Sequence, residues 1–94
     1  MTNQDGIKFL LEEKIKEFNY WRMRNLTDKF DMSNMDFSNK NLSGAVLNGV
    51  ISNNTDFSYS NLSSINCVQA SLNNCNFENA NLSSGLFMYA EMKN

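Results

Sequence analysis

The stretch DFSYSNLSS, residues 56–64, decides the fold, because it returns on either side at a spacing of twenty: DFSNKNLSG at 36–44 and NFENANLSS at 76–84. Within each copy the large apolar residues lie five apart, Phe57 then Leu62, Phe37 then Leu42, Phe77 then Leu82. Followed outward, the five-residue period runs from Met32 through Leu47, Ser52, Cys67, Leu72 and Phe87 to Met92, and Ser52 is its polar member. A second series of mostly small residues precedes it by two positions, including Ala45, Thr55, Ala70, Cys75, Ala80 and Gly85.

A period of five fits neither the 3.6 of a helix nor the 2.0 of a strand, so the chain has to turn once per repeat to keep these positions inside. The longer period of twenty then closes four turns into one circuit. Stacked at the usual strand spacing of ~4.8 Å, the circuits place Phe37, Phe57 and Phe77 in one column and Leu42, Leu62 and Leu82 in the next. A circuit this narrow has no room for two large side chains per repeat at native density, which accounts for the small second series. Asn, Asp and Ser fill the corners, where short polar side chains bond to nearby backbone. The expected fold is an all-β solenoid, a four-sided β-helix of about three coils over residues 30–94. Residues 1–29 read as an amphipathic capping helix and linker. In that helix Ile7, Leu10, Leu11, Ile15 and Phe18 share a face, Asp5 is the expected N-cap and Glu12 lies four residues before Lys16.

The repeats resemble the pentapeptide repeat family, whose consensus is A(D/N)LXX; Ala80-Asn81-Leu82-Ser83-Ser84 and Ala70-Ser71-Leu72-Asn73-Asn74 come nearest to it. The segment Ile15-Lys16-Glu17-Phe18-Asn19-Tyr20-Trp21-Arg22 resembles a leader found ahead of many bacterial members, with its recurring aromatic, Asn, Trp and Arg. The resemblance implies a right-handed quadrilateral β-helix with the central and second-preceding residues turned inward. Two departures stand out. Lys40 occupies an inward position where the family has Ala, and Val46, Ile51 and Leu86 replace the Asp or Asn before the central residue. A solenoid end needs cover, and the helix with Trp21 is expected to supply it.

Composition excludes several functions. A chain of 94 residues supports one domain. A net charge of −2 offers no basic field for nucleic acid or an anionic membrane, and no run approaches the ~20 apolar residues of a span. Acids scattered through the N-terminus argue against a signal peptide, so the expected location is the cytoplasm. With no His, imidazole-based triads and metal sites are excluded, and no nucleophile and base stand at a defensible spacing, so no enzyme, metal or cofactor is expected. Gly44 and Gly49 have phosphate-loop spacing, but Val50 and Ile51 follow where Lys and Ser or Thr are needed. Cys67 and Cys75 read as small buried hydrophobes.

Two surfaces remain. Asp36, Asp56 and Glu78 read as an acidic face, most simply a solvated one. Val46, Val68, Leu86 and Met88 are outward apolar residues on the fourth face, with Tyr89 at its corner, and surface clusters of this kind mark contacts. Phe87 and Met92 lie in the last coil, which nothing in the sequence covers. The expected assembly is a homodimer through this end or the fourth face, unless further chain supplies the cover. The expected function is a protein-interaction or scaffold module of unspecified target. The resemblance implies an alternative, since some longer pentapeptide repeat proteins resemble DNA in shape and charge and modulate DNA gyrase. Charge weighs against it here: residues 30–94 hold five acidic residues and two lysines, over a rod of about 16 Å at ~4.8 Å per coil.

Overall fold

A computed structural model describes residues 3–93. Two helices begin it, α1 (Asn3–Leu11) and α2 (Ile15–Arg24), where the sequence suggested one. The break is a helix C-terminal motif. Glu13 takes a left-handed φ of 59°, its N–H donates to the Leu10 carbonyl, and the Lys14 N–H reaches back to the Phe9 carbonyl. That pair of bonds satisfies carbonyls the helix end leaves free and turns the chain back on itself. Asp5 lies in the first turn of α1, inside the helix, where a negative charge suits the helix dipole. Glu12 pairs with exposed Lys14 at 3.3 Å instead of reaching Lys16.

The hairpin of helices lies over one end of the repeats. Phe18, Trp21 and Phe30 form an aromatic cluster with ring centroids 5.3 to 5.9 Å apart, and Leu10 is buried with them. Gly6 permits the close approach of α1, because a Cβ there would stand 2.5 Å from a Trp21 ring carbon.

The expected all-β solenoid, drawn as a right-handed quadrilateral β-helix, is corrected by the structure. Among the described residues there is no β-strand, and the two helices are the regular elements. The reason lies in the turns. Every repeat from Met32 to Phe87 carries a positive φ two residues after its central position, at Asn34, Asn39, Gly44, Gly49, Asn54, Tyr59, Ser64, Gln69, Asn74, Asn79, Ser84 and Tyr89. A left-handed residue every five positions leaves only a short straight stretch between turns. Pairing therefore shrinks to one isolated parallel bridge per repeat.

Those bridges keep the twenty-residue register. Asp36 pairs with Asp56, Asn41 with Asn61, Val46 with Asn66 and Ile51 with Ser71, and the series continues to Ser71 with Glu91. The hydrogen bonds follow one rule: the Gly44 N–H goes to the carbonyl nineteen residues on, at Ser63, and the Asn66 N–H goes to the carbonyl twenty-one residues back, at Ala45. Many turns also close on themselves, as where the Ala45 N–H meets the Leu42 carbonyl at 3.1 Å. With φ positive only at the third residue, these have the form of type II turns.

The register stacks the core. Phe37 and Phe57 lie 5.9 Å apart with 15° between ring planes, and Phe57 and Phe77 lie 5.5 Å apart at 7°. Leu42 and Leu62 are buried and Leu82 is half-buried. Buried Ser52 donates its hydroxyl to Thr55 Oγ1 at 2.9 Å, and Thr55 donates to the Met32 carbonyl at 3.2 Å, so the polar interruption of the apolar series is satisfied. No helix among the described residues is long and apolar enough to cross a membrane.

Candidate interaction surface

The two ends of the stack are unlike. At the first coil three cap side chains stand where an earlier coil would be. By the register just given, the Gly44 carbonyl and the Val46 N–H would both pair with one residue twenty or so positions earlier. The Asn19 side-chain amide takes that place, its Nδ2 donating to the Gly44 carbonyl at 3.0 Å and its Oδ1 accepting from the Val46 N–H at 2.8 Å. Glu13 Oε1 accepts from the Asn41 N–H at 2.6 Å. Arg22 Nη2 donates to the Asn48 carbonyl at 2.8 Å, and Nη1 lies 3.3 Å from the carbonyls of Asn25 and Asp28. Arg22 is buried, its guanidinium 5.5 Å from the Phe30 ring centre, and burial draws its pKa down while Asp28 opposes the shift. Beneath this cap Met32, Phe37, Leu42 and Leu47 are fully buried.

At the other end Phe77, Leu82 and Phe87 are only half-buried, and Met92 is 44% exposed. The N–H groups of Phe77, Asn79, Leu82, Ser84, Phe87 and Tyr89 find no acceptor among the described residues, and the carbonyls of Cys75, Ala80 and Gly85 find no donor there. Earlier residues in the same columns are paired.

The polar residue before each central position has its own task. The side-chain oxygen of Asp31, Asp36, Asn41, Asp56, Asn61, Asn66, Asn76 or Asn81 accepts the N–H two residues on, at 2.9 to 3.2 Å. These bonds hold the turn from outside. They also lower the carboxyl pKa values: at Asp36 chiefly through the Ser38 hydroxyl, at Asp31 chiefly through the Ser33 N–H.

A family model for pentapeptide repeats matches the chain over residues 31–63 and 53–87, with eight copies. The chain belongs to the pentapeptide repeat family. The match spans the turns with these polar caps and left-handed corners; the two helices precede it, in keeping with a capped repeat protein. No curated protein gives a significant match.

Against the family pattern one pentapeptide repeat stands apart: Gly85-Leu86-Phe87-Met88-Tyr89. Leu86 replaces the turn-capping Asp or Asn, and the Met88 N–H is left without an acceptor among the described residues. Tyr89 occupies the left-handed corner at φ 62°, as Tyr59, Ser64, Gln69 and Ser84 do in their own repeats, a conformation that costs an L-residue other than Gly or Asn roughly 1–2 kcal/mol. Neither substitution is repaid by burial, since Leu86, Met88 and Tyr89 are 55%, 64% and 79% exposed. Val46 makes the same replacement, but it lies half-buried under α2 with its N–H on Asn19. Val68 is half-buried, and the Gln69 N–H bonds the Met88 carbonyl, so Val68 and Met88 are neighbours across the last two coils.

The acidic residues do not share one column. Asp36 and Asp56 stack, and the next place is taken by Asn76, while Glu78 follows Ser38 and Ser58 by the register of twenty. Lys40 is half-buried and lies near enough to Asp36 to favour its charged form. Among the described residues no three His, Cys, Asp or Glu side chains gather as metal ligands. Both cysteines are free; Cys67 is buried, with its thiol pushed up to about 12 by burial and by Cys75, whose own thiol donates to the Ser52 carbonyl. A groove of about 650 Å³ on the outside of the cap is lined by Phe9, Lys16, Glu17, Tyr20, Trp21, Arg24 and Asn25.

The roles of Glu13, Asn19 and Arg22 were not read from the sequence, which credited the cover to the apolar face and Trp21. Their signal was the presence of Asn19 and Arg22 beside Phe18 and Trp21, polar groups on the side of α2 that packs inward.

Proposed function

We propose that this pentapeptide repeat protein is a non-enzymatic protein-interaction module, residues 1–29 serving as cap and 30–94 as the repeat body. Its contact surface is the apolar repeat 85–89 together with exposed Met92, and its first partner is a second copy of the chain. The observation that carries this reading is the repeat Gly85-Leu86-Phe87-Met88-Tyr89. It gives up the turn-capping hydrogen bond and carries Leu, Met and Tyr exposed together at its three outward positions, and contiguous exposed apolar groups mark contacts.

The variant Leu86→Asn, Tyr89→Gly restores the family pattern at both positions. It is expected to melt no lower than the parent while its self-association, measured by sedimentation, weakens at least tenfold. Unchanged association would overturn the proposed surface. A DNA-like modulator of DNA gyrase is the second reading, and no observation favours it. The exposed carboxylates are too few and do not form a column. A supercoiling assay at tens of micromolar protein is expected to show no effect.

A further inference from the structure

The groove on the outside of the cap is used neither by the packing of the helices nor by the contact surface at residues 85–89. It holds about 650 Å³, the size of a small-molecule site. Phe9 of α1 and Tyr20 and Trp21 of α2 give it aromatic sides.

Two features of this groove point to the same kind of occupant. The first is the Trp21 indole, which is 4% exposed and whose buried Nε1–H has no hydrogen-bond partner. A buried indole N–H ordinarily finds an acceptor. The benzo edge of the ring, Cζ3 and Cη2, is the part turned to Gly6. That leaves the opposite, pyrrole end, which carries Nε1, toward the groove that Trp21 helps to line. The second feature is charge. Lys16 and Arg24 stand on the groove with Glu17, two cations to one carboxylate in a chain whose net charge is −2. Among the described residues neither cation has a carboxylate at ion-pair distance. The Arg24 guanidinium lies 5.3 Å from the centre of the Tyr20 ring, a cation–π contact that holds it at the rim.

Two free cations and an unanswered N–H beside aromatic side chains suit a ligand with an aromatic body and a carboxylate. A neutral ligand would leave both cations unanswered, and a cationic one would meet like charge. The long side chains of Lys16 and Arg24 are exposed and can give way as an oxygen reaches Nε1.

We propose that the cap groove binds a small aromatic carboxylate, its ring against Phe9 and Tyr20 and its carboxylate accepting from Trp21 Nε1–H beside Lys16 and Arg24. The site shares no residue with the repeat 85–89, so its occupancy is independent of self-association through that repeat.

Trp21 is the one tryptophan of the chain, so a single indole N–H resonance reports the site. The intact chain is titrated to millimolar concentration with 2-naphthaleneacetate, with its neutral amide and with the cation 2-(2-naphthyl)ethylamine, and followed by NMR. The acid is expected to move the indole proton downfield to saturation, the amide to bind at least tenfold more weakly, and the amine not to bind. In the double variant Lys16→Gln, Arg24→Gln, altered at two exposed positions, the melting temperature is expected to hold. The acid then loses at least tenfold in affinity and the amide loses none. Equal affinity of acid and amide would overturn the carboxylate assignment. An indole proton that does not move would overturn the site, whether or not the acid bound elsewhere. A capped acidic peptide with one Phe that bound tenfold tighter than the acid would overturn the small-molecule occupant and make the groove a peptide site.

Discussion

Replacing Phe57 tests whether the core is held by rings stacked one coil apart. Phe57 is 1% exposed and has a ring on each side, Phe37 at 5.9 Å and Phe77 at 5.5 Å, both nearly parallel to it. Truncation to Ala removes a fully buried aromatic side chain at the middle of a rigid stack, where the neighbours above and below are fixed by the backbone register and cannot close the gap. The expected loss is about 4 kcal/mol, from the range for buried Phe to Ala. Phe57→Leu keeps most of the apolar area but breaks two ring pairs, each worth ~0.5–1.5 kcal/mol beyond area, so it loses about 2 kcal/mol. Phe77 is half-buried and has one ring neighbour among the described residues, so Phe77→Ala is expected to lose less than Phe57→Ala.

Urea and thermal melts at one fixed protein concentration read these differences without mixing in association. For a domain of this size a loss of ~4 kcal/mol lowers Tm by on the order of 20 °C. The order expected is Phe57→Ala, then Phe77→Ala or Phe57→Leu, then the parent. If Phe77→Ala proved as damaging as Phe57→Ala, or Phe57→Leu cost only a few tenths of a kcal/mol, the stacked column would not be what holds the middle coil.

Two further predictions concern titration. The carboxyls of Asp31 and Asp36 titrate below the ordinary carboxylate range because the turn donors favour their charged form. Whatever stability they contribute is complete above the unfolded pKa of ~3.9 and is lost as pH falls through the lowered folded value. In an NMR titration Ser38→Ala is expected to move Asp36 back toward that ordinary value and leave Asp31 in place; a stationary Asp36 would refute the role of the Ser38 hydroxyl. Cys67, raised to about 12, should resist a thiol reagent at pH 8 until the chain unfolds, while half-buried Cys75 reacts sooner. The folded state favours the Cys67 thiol, so its contribution is complete below ~8.5 and is lost as pH rises toward the folded value. Equal labelling rates for the two cysteines would contradict this packing.

The interior was legible because the same interaction recurs at a fixed interval. Phe37, Phe57 and Phe77 announce their contact by spacing alone, and so do the Asn41, Asn61 and Asn81 positions that bridge the coils. The class of structure was misjudged for a reason the same spacing contains. A period of five that includes one left-handed corner leaves too short a straight run for a strand, so the coils are joined bridge by bridge. The helix break was hidden because it depends on Glu13 taking a left-handed conformation, and nothing in its residue type favours that.

The ends were least legible, since each is built once and has no copy to compare with. Asn19 could be seen in the sequence as a polar residue beside Phe18, but its value depends on an amide carrying a donor and an acceptor in the same arrangement as a peptide group. Only the position of α2 over Gly44 and Val46 brings that out. Tyr89 could be seen as an outward aromatic, but Tyr59 holds the same corner, and what sets Tyr89 apart is that Leu86 and Met88 are exposed beside it. Asn or Gly does the same work there without strain, as at Asn34, Asn39, Gly44 and Gly49. Where a repeat keeps its turn residues, the turn explains them and no partner is needed. Where it replaces all three outward positions with Leu, Met and Tyr, neither the turn nor the core gains, and the remaining beneficiary is whatever the surface touches.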